Sequence, residues 1–152
     1  MNPTDPYNKF QSRNVKNTPK GDYNCGGYAL GTFSWYCTYP SDMSFTMNDG
    51  WCEEAEAWEK TMYMVRNMIA DFCGKVRMLY HQSQLERNEY LVAFRISSDG
   101  DFHYIKKMGN GHWYHKRGAC HWIEQMTEEE VFETNWCWDR YDGPIVLLAV
   151  KK

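Results

Sequence analysis

The sequence predicts an α+β fold, with helices in the first half of the chain and antiparallel strands in the second. Apolar residues recur at helical spacing between Glu53 and Cys73. After Gly74 the chain has strand-like runs separated by glycine turns, and residues 145–150 form a continuous apolar run typical of a buried central strand. Helices followed by antiparallel strands are the pattern of an α+β domain.

The length, composition and net charge of the chain indicate a single globular domain and argue against some classes of protein. A chain of 152 residues fits one domain, and 43% hydrophobic residues are enough for a packed core. The net charge of −3 argues against a nucleic-acid-binding protein, which normally has a basic face. No apolar run reaches transmembrane length and no secretory signal is visible, so the sequence predicts a cytoplasmic protein without membrane contact, whose six cysteines are free thiols.

The N-terminal part contains an arm and a short helix. Residues 1–22 are polar and proline-containing and are expected to form an extended arm, and residues 23–152 a single domain. A short helix is predicted to open at or just before Cys25, within Asn24-Cys25-Gly26-Gly27. Glycines disfavour helix, so we expect them to serve another purpose, namely close approach of a substrate to the backbone.

The long helix is predicted between Glu53 and Cys73, with Gly74 ending it. Acidic residues occupy its first turn, where the helix dipole favours negative charge. Its apolar stripe is expected to face the core and comprises Trp58, Met62, Val65, Met68, Ile69 and Phe72.

The second half is predicted to contain two hairpins and a capped helix. The helix opens at Thr127, with Glu130 completing a capping box. Ser98-Asp99-Gly100 and Gly109-Asn110-Gly111 are turn sequences. The strands are expected at Lys75–Tyr80, Tyr90–Ser97, Phe102–Met108, His112–Lys116 and Ile145–Val150.

Cys25 and His103 are the candidate nucleophile and base. A thiol becomes a good nucleophile at neutral pH when a helix N-terminus and a neighbouring imidazole stabilise its thiolate. The predicted helix start supplies the first of these at Cys25, and its backbone N–H groups are candidates for an oxyanion hole. His103 lies in a predicted strand, and His115 follows twelve residues later across a glycine turn.

The role of His115 depends on the register of this hairpin. With a three-residue loop at 109–111, residue 108 faces 112 and residue 105 faces 115. His103 and His115 are then diagonal neighbours on one face, and His112 points the other way. A two-residue turn reverses the parity and removes His115, in which case Asn110 is the alternative residue to orient His103.

The motifs resemble a known fold. A Cys at a helix start, a strand His and a polar residue on the next strand, in that order, resemble the papain-like fold of the NlpC-type cell-wall peptidases. In that family the third residue is often a second His about a dozen positions on. Residues 24–30, 101–104 and 111–118 are also similar to a group of bacterial and phage proteins with the motifs N-C-x-x-Y-A-L, D-[FY]-H and W-S-H-K-x-G. The match covers roughly residues 22 to 118.

This resemblance implies a papain-like cysteine hydrolase in which N-terminal helices pack on an antiparallel sheet. It implies cleavage of a peptide or peptidoglycan-like amide, in a small substrate or a protein target, through a Cys-His-His relay and a thioester, without metal or cofactor. The chain departs from the NlpC-type pattern at Asn24-Cys25-Gly26-Gly27, where Asp-Cys-Ser-Gly is usual, and at Tyr114, where a small residue is expected. The implied residues are Cys25, His103 and His115 for catalysis and Tyr23, Asn24, Gly26 and Asn110 for substrate or oxyanion contacts.

Other interpretations of these residues remain. The scaffold could serve a phage- or bacteria-encoded effector, such as a deamidase, an acyltransferase or a non-catalytic inhibitor of a host protein. A zinc site at His112, His115, Cys120 and His121 is disfavoured, because neighbouring strand positions face apart and adjacent residues hardly converge on one ion. The run 128–130 is expected to be a solvated helix start. Candidate walls of a substrate groove are Trp51, Trp113, Trp122, Trp136 and Trp138.

Overall fold

The computed structural model describes residues 23–32, 36, 54–97, 101–116, 123–133, 136 and 141–152. Several predictions concern residues outside these ranges: the N-terminal arm, the turn at 98–100, and the side chains of Trp51, Cys120, His121, Trp122 and Trp138. No helix in the described ranges is long and apolar enough to cross a membrane.

The described residues form a six-stranded antiparallel sheet with helices, which confirms the α+β class. The strand order is β1-β6-β2-β3-β4-β5, so the last strand lies inside the sheet. The strands are β1 (Val76–Leu79), β2 (Glu89–Ile96), β3 (Phe102–Lys107), β4 (Trp113–Lys116), β5 (Ile123–Met126) and β6 (Val146–Lys151). The helices are α1 (Cys25–Ala29), α2 (Glu54–Asp71) and α3 (Glu128–Val131), with a 3-10 turn at Gln82–Gln84.

The sheet separates two layers of core. One face packs against α1 and α2 and includes Val92, Phe94, Phe102, Tyr104 and Leu148. The opposite face, covered in part by α3, includes Leu91, Ala93, Ile105, Trp113 and Ala149. β6 pairs with β1 on one side and β2 on the other, so the prediction of a central strand is confirmed.

The apolar stripe of α2 is only partly the predicted one. Met64, Val65 and Met68 are fully buried, whereas Trp58 is 42% exposed. At 100° per residue, Trp58 lies nearly a quarter-turn from the centre of the buried stripe, so its inclusion was wrong. Gly74 has the positive φ expected of a residue that ends a helix.

Two further differences concern the second half. The strand β5 was not predicted, although it pairs with all four residues of β4. Trp113 and Trp136 are almost completely buried, so the expectation that they wall a substrate groove was wrong. The capping box at Thr127 and Glu130 is present as predicted.

Candidate active site

The first part of the site is the start of α1. Asn24 is the N-cap, and its Oδ1 accepts hydrogen bonds from Gly27 N–H (3.0 Å) and Tyr36 N–H (3.1 Å). Its Nδ2 donates to the Tyr36 carbonyl at 2.6 Å. Cys25 is therefore the first residue of the helix, as the sequence predicts, and its side chain is buried.

Gly26 is explained by packing. A Cβ at this position would lie 3.2 Å from Tyr104 Cε2 and 3.2 Å from Tyr36 Cδ2. The Tyr104 ring is fully buried and contacts the ring of Phe94. Close approach of two aromatic rings of the protein therefore accounts for a glycine at this position, and approach of a substrate stays a prediction.

The β3–β4 hairpin has the three-residue loop on which His115 depends. Met108 N–H bonds the His112 carbonyl at 2.9 Å, Lys106 pairs with Tyr114, and Gly111 has a φ of 87°. This register places His103 and His115 on one face as diagonal neighbours.

The two imidazoles are in contact. His103 Nε2 lies 2.7 Å from His115 Nδ1, which is a short hydrogen bond, and the side chains are almost fully buried. His112 points the other way and is exposed, with its Nδ1 3.1 Å from Gln125 Nε2.

An aromatic wall lies behind the histidine pair. The Tyr141 ring stacks on His103 at 5.1 Å between centroids, and Trp136 meets it edge-on at 6.0 Å. The Tyr141 hydroxyl donates to Asp101 Oδ2 at 3.0 Å, and Trp136 Nε1–H donates to the Val131 carbonyl at 2.7 Å. These contacts fix the plane of the His103 ring.

Arg95 supports the same wall from β2, directly opposite His103. Its guanidinium lies over the Trp136 ring at 5.5 Å and donates to the carbonyls of Glu133 and Gly143. Burial lowers the pKa of Arg95, and the carboxylate of Asp142 partly opposes that change.

Cys25 lies beside the backbone that leads into His103. Its Sγ is 3.9 Å from the carbonyl oxygen of Phe102. In a trans peptide that oxygen is about 2.8 Å from the next Cα, so Sγ lies within about 7 Å of His103 Cα. The Asp101 carbonyl bonds Ser97 on the β2 side. Because carbonyls alternate along a strand, the Phe102 carbonyl points toward β4.

The paired part of β3 and β4 ends before this point. In the described residues the β3–β4 pairing covers 106–107 with 113–114, although β3 extends back to Phe102 and β4 on to Lys116. Cys25 enters from the α1 face, where it packs in the same cluster as Phe102. His103 lies on the other face, against Trp136 and Tyr141, and His115 lies beside it. Contact of Cys25 Sγ with the His103 ring stays a prediction.

No protein-family model, curated protein or solved structure matches the chain. Within the described ranges, no group of three or more His, Cys, Asp or Glu side chains could hold a metal ion.

The other two residues assigned to substrate or oxyanion contacts, Asn110 and Tyr23, make structural hydrogen bonds. Asn110 lies in the hairpin turn, where its Oδ1 accepts from His112 N–H (2.9 Å) and its Nδ2 donates to the Tyr114 hydroxyl (3.2 Å). The length of β3, more than about 15 Å, separates it from His103, so Asn110 is not brought to the site. The Tyr23 carbonyl accepts from Lys116 Nζ at 2.8 Å.

Sequence reasoning missed the residues that support this site. Tyr141 gives no signal, because it reaches His103 through a long-range packing contact outside any regular hairpin. Asp101 belongs to the D-[FY]-H match, but no role at the site was assigned to it. Lys116 could have been found, since strand alternation turns it away from His115 and hence toward α1.

Proposed function

We propose that this chain is a papain-like cysteine hydrolase that cleaves an amide or peptide bond, with Cys25 as nucleophile, His103 as base and His115 as the residue that orients the base. The observation that carries the proposal is the buried 2.7 Å hydrogen bond between His103 Nε2 and His115 Nδ1, together with the position of the Cys25 sulfur 3.9 Å from the carbonyl of Phe102, the residue before His103.

The hydrogen bond between His103 and His115 supports a separate role for each ring nitrogen of His103. With Nε2 of His103 held by His115, the other nitrogen, Nδ1, is the one to take the Cys25 proton. For this, His115 is neutral, with its proton on Nε2 and its Nδ1 accepting. The aromatic wall behind His103 limits rotation of the ring, which keeps Nδ1 directed to one place.

The reaction then proceeds in two halves. The thiolate attacks the amide carbon, and the C–N bond breaks as His103 returns its proton to the leaving amine, leaving a thioester on Cys25. Water, deprotonated by His103, attacks the thioester, and the carboxylic acid and the thiol are released. Both halves pass through an oxyanion that needs hydrogen-bond donors.

The proposal assigns the oxyanion to the N–H groups of Cys25 and Gly26. The N–H groups of Gly27 and Tyr28 already donate to Asn24, one to its side chain and one to its carbonyl. Asn24 thus acts as the cap that fixes the helix start.

Thiol labelling tests the proposal with an internal control. Cys25 is 4% exposed, whereas Cys73 is exposed, so access alone makes Cys73 the faster of the two. An imidazole-stabilised thiolate reverses that order at pH 6, where an ordinary thiol is almost fully protonated. Iodoacetamide labelling read by peptide mass spectrometry is expected to modify Cys25 at least tenfold faster than Cys73.

A series of histidine variants gives the controls. His103→Ala is expected to abolish the preference for Cys25, and His115→Ala to reduce it by less, because an orienting residue contributes less than the base. His112→Ala, on the same hairpin but facing away, should match the parent. Labelling of Cys25 at pH 6 no faster than Cys73 would refute the nucleophile assignment.

A further inference from the structure

Two buried lysines hold α1 near its two ends. Lys116, on β4, donates from Nζ to the Tyr23 carbonyl at 2.8 Å and lies over the Tyr23 ring at 4.7 Å. Lys106, on β3, donates to the Tyr28 carbonyl at 3.3 Å and lies over the Tyr28 ring at 4.2 Å. The first contact is two residues before Cys25, and the second is in the last turn of the helix.

Packing alone does not account for these lysines. Burying an ammonium group is unfavourable, and well-packed apolar residues of similar volume are often as stabilising or more so. Each ammonium contacts a carbonyl and an aromatic face of the same segment, and Lys106 also lies 5.7 Å from the centre of the Tyr90 ring. Both lysines are buried and both contact a carbonyl at α1, but they hold opposite ends of this helix.

We propose that Lys116 is a positioning residue for the nucleophile: it fixes the backbone that leads into Cys25, and its charge favours the Cys25 thiolate. Lys106 fixes the opposite end of the helix. This inference rests on the proposed cysteine hydrolase. With only five residues, α1 has a small dipole, so a thiolate at its start needs a further source of positive charge.

Other titratable groups lie on the elements that surround α1. β3 carries His103 and Lys106, and β4 carries His115. β5 carries Glu124, which lies opposite His115 in the strand register. The helix α2 contributes the buried Lys60 and the carboxylate of Asp71, which accepts from the Tyr36 hydroxyl at 2.8 Å. Burial raises the pKa values of Tyr23 and Tyr28, so both phenols stay neutral.

The test is the pH dependence of Cys25 labelling in Lys116→Met and Lys106→Met. Lys106 is charged near pH 6, since burial lowers its pKa only to about 8. The Lys116 ammonium is bonded to a carbonyl two residues before Cys25, and loss of a nearby unit charge, at an effective dielectric constant near 20, shifts a thiol titration by roughly one pH unit. Lys116→Met is expected to raise the labelling midpoint by about that much, and Lys106→Met by less than half as much.

A second variant separates charge from anchoring. Lys116→Gln keeps a donor for the Tyr23 carbonyl and loses the charge, so its labelling midpoint should rise as in Lys116→Met. If circular dichroism shows that Lys116→Met does not fold, Lys116→Gln replaces it in the test. An unchanged midpoint in folded Lys116 variants, with fast Cys25 labelling in the parent, overturns the role of Lys116 and leaves the hydrolase proposal intact. Slow Cys25 labelling in the parent overturns both.

Discussion

At the scale of single residues, Gly26 shows how one contact changes an expectation. From the sequence, Gly26→Ala should stabilise α1, because alanine is favoured over glycine in a helix by about 1 kcal/mol. In the structure the added methyl would press on Tyr104 and Tyr36 at 3.2 Å. Tyr104 is fixed between Phe94 and Phe102, so it cannot yield, and overpacking of this kind costs about 1–3 kcal/mol.

We therefore expect Gly26→Ala to lower the free energy of unfolding by about 1 kcal/mol, measured by urea denaturation. Gly109→Ala is the matched control, because nothing lies within 4 Å of its added Cβ. A Gly26→Ala protein as stable as Gly109→Ala would mean that the rings move aside and that packing does not require this glycine.

At the scale of elements, α3 links a local sequence signal to the site. Thr127 accepts from Glu130 N–H at 3.1 Å, and the Glu130 carboxylate accepts from Thr127 N–H at 3.1 Å. The carbonyl of Val131, in the same helix, holds the indole of Trp136 behind His103.

Thr127→Ala is expected to destabilise the protein by about 1 kcal/mol in thermal or urea melts, while Thr127→Ser is nearly neutral. Equal losses in both would indicate that the methyl group, not the cap, matters.

Elements with strong local signals could be predicted, and elements without them could not. The helix start at Cys25, the cap at Thr127 and the glycine turn before His112 are set by neighbouring residues, and each is where the sequence places it. The strand β5 has only two apolar residues in four, at its two ends, so its alternation is not visible. It exists because β4 offers an edge with which to pair, which is a tertiary effect.

At the scale of the whole molecule, the candidate site combines a pair of histidines that could be predicted with a cysteine position that could not. The His103–His115 contact follows from loop length and strand periodicity alone. The position of the Cys25 sulfur beside Phe102 depends on where the pairing of β3 with β4 ends, and no residue pattern predicts that point. The wall of Trp136 and Tyr141 likewise depends on how a distant segment folds back over the sheet.

The burial of Lys106 beside α1 also makes the stability of the whole chain depend on pH. Burial lowers the pKa of Lys106 from 10.5 to about 8. Between these values the unfolded chain binds more protons than the folded one, so the free energy of unfolding rises with pH across this window. Integrated from pH 8 to 10, the gain is about 2–3 kcal/mol.

Comparing the parent with Lys106→Met isolates this contribution, since other groups titrate in both proteins. The difference in their free energies of unfolding, from urea titrations at pH 7 to 10, should be constant below pH 8 and then shift in favour of the parent by about 2–3 kcal/mol. Above pH 10 the tyrosines act in the opposite direction, because burial raises the pKa of Tyr90 to about 12 and unfolding releases that phenol to ionise. A difference that stays flat from pH 7 to 10 would show that the Lys106 amine keeps its ordinary pKa in the folded protein, and that its contacts with Tyr28 fully replace the water lost on burial.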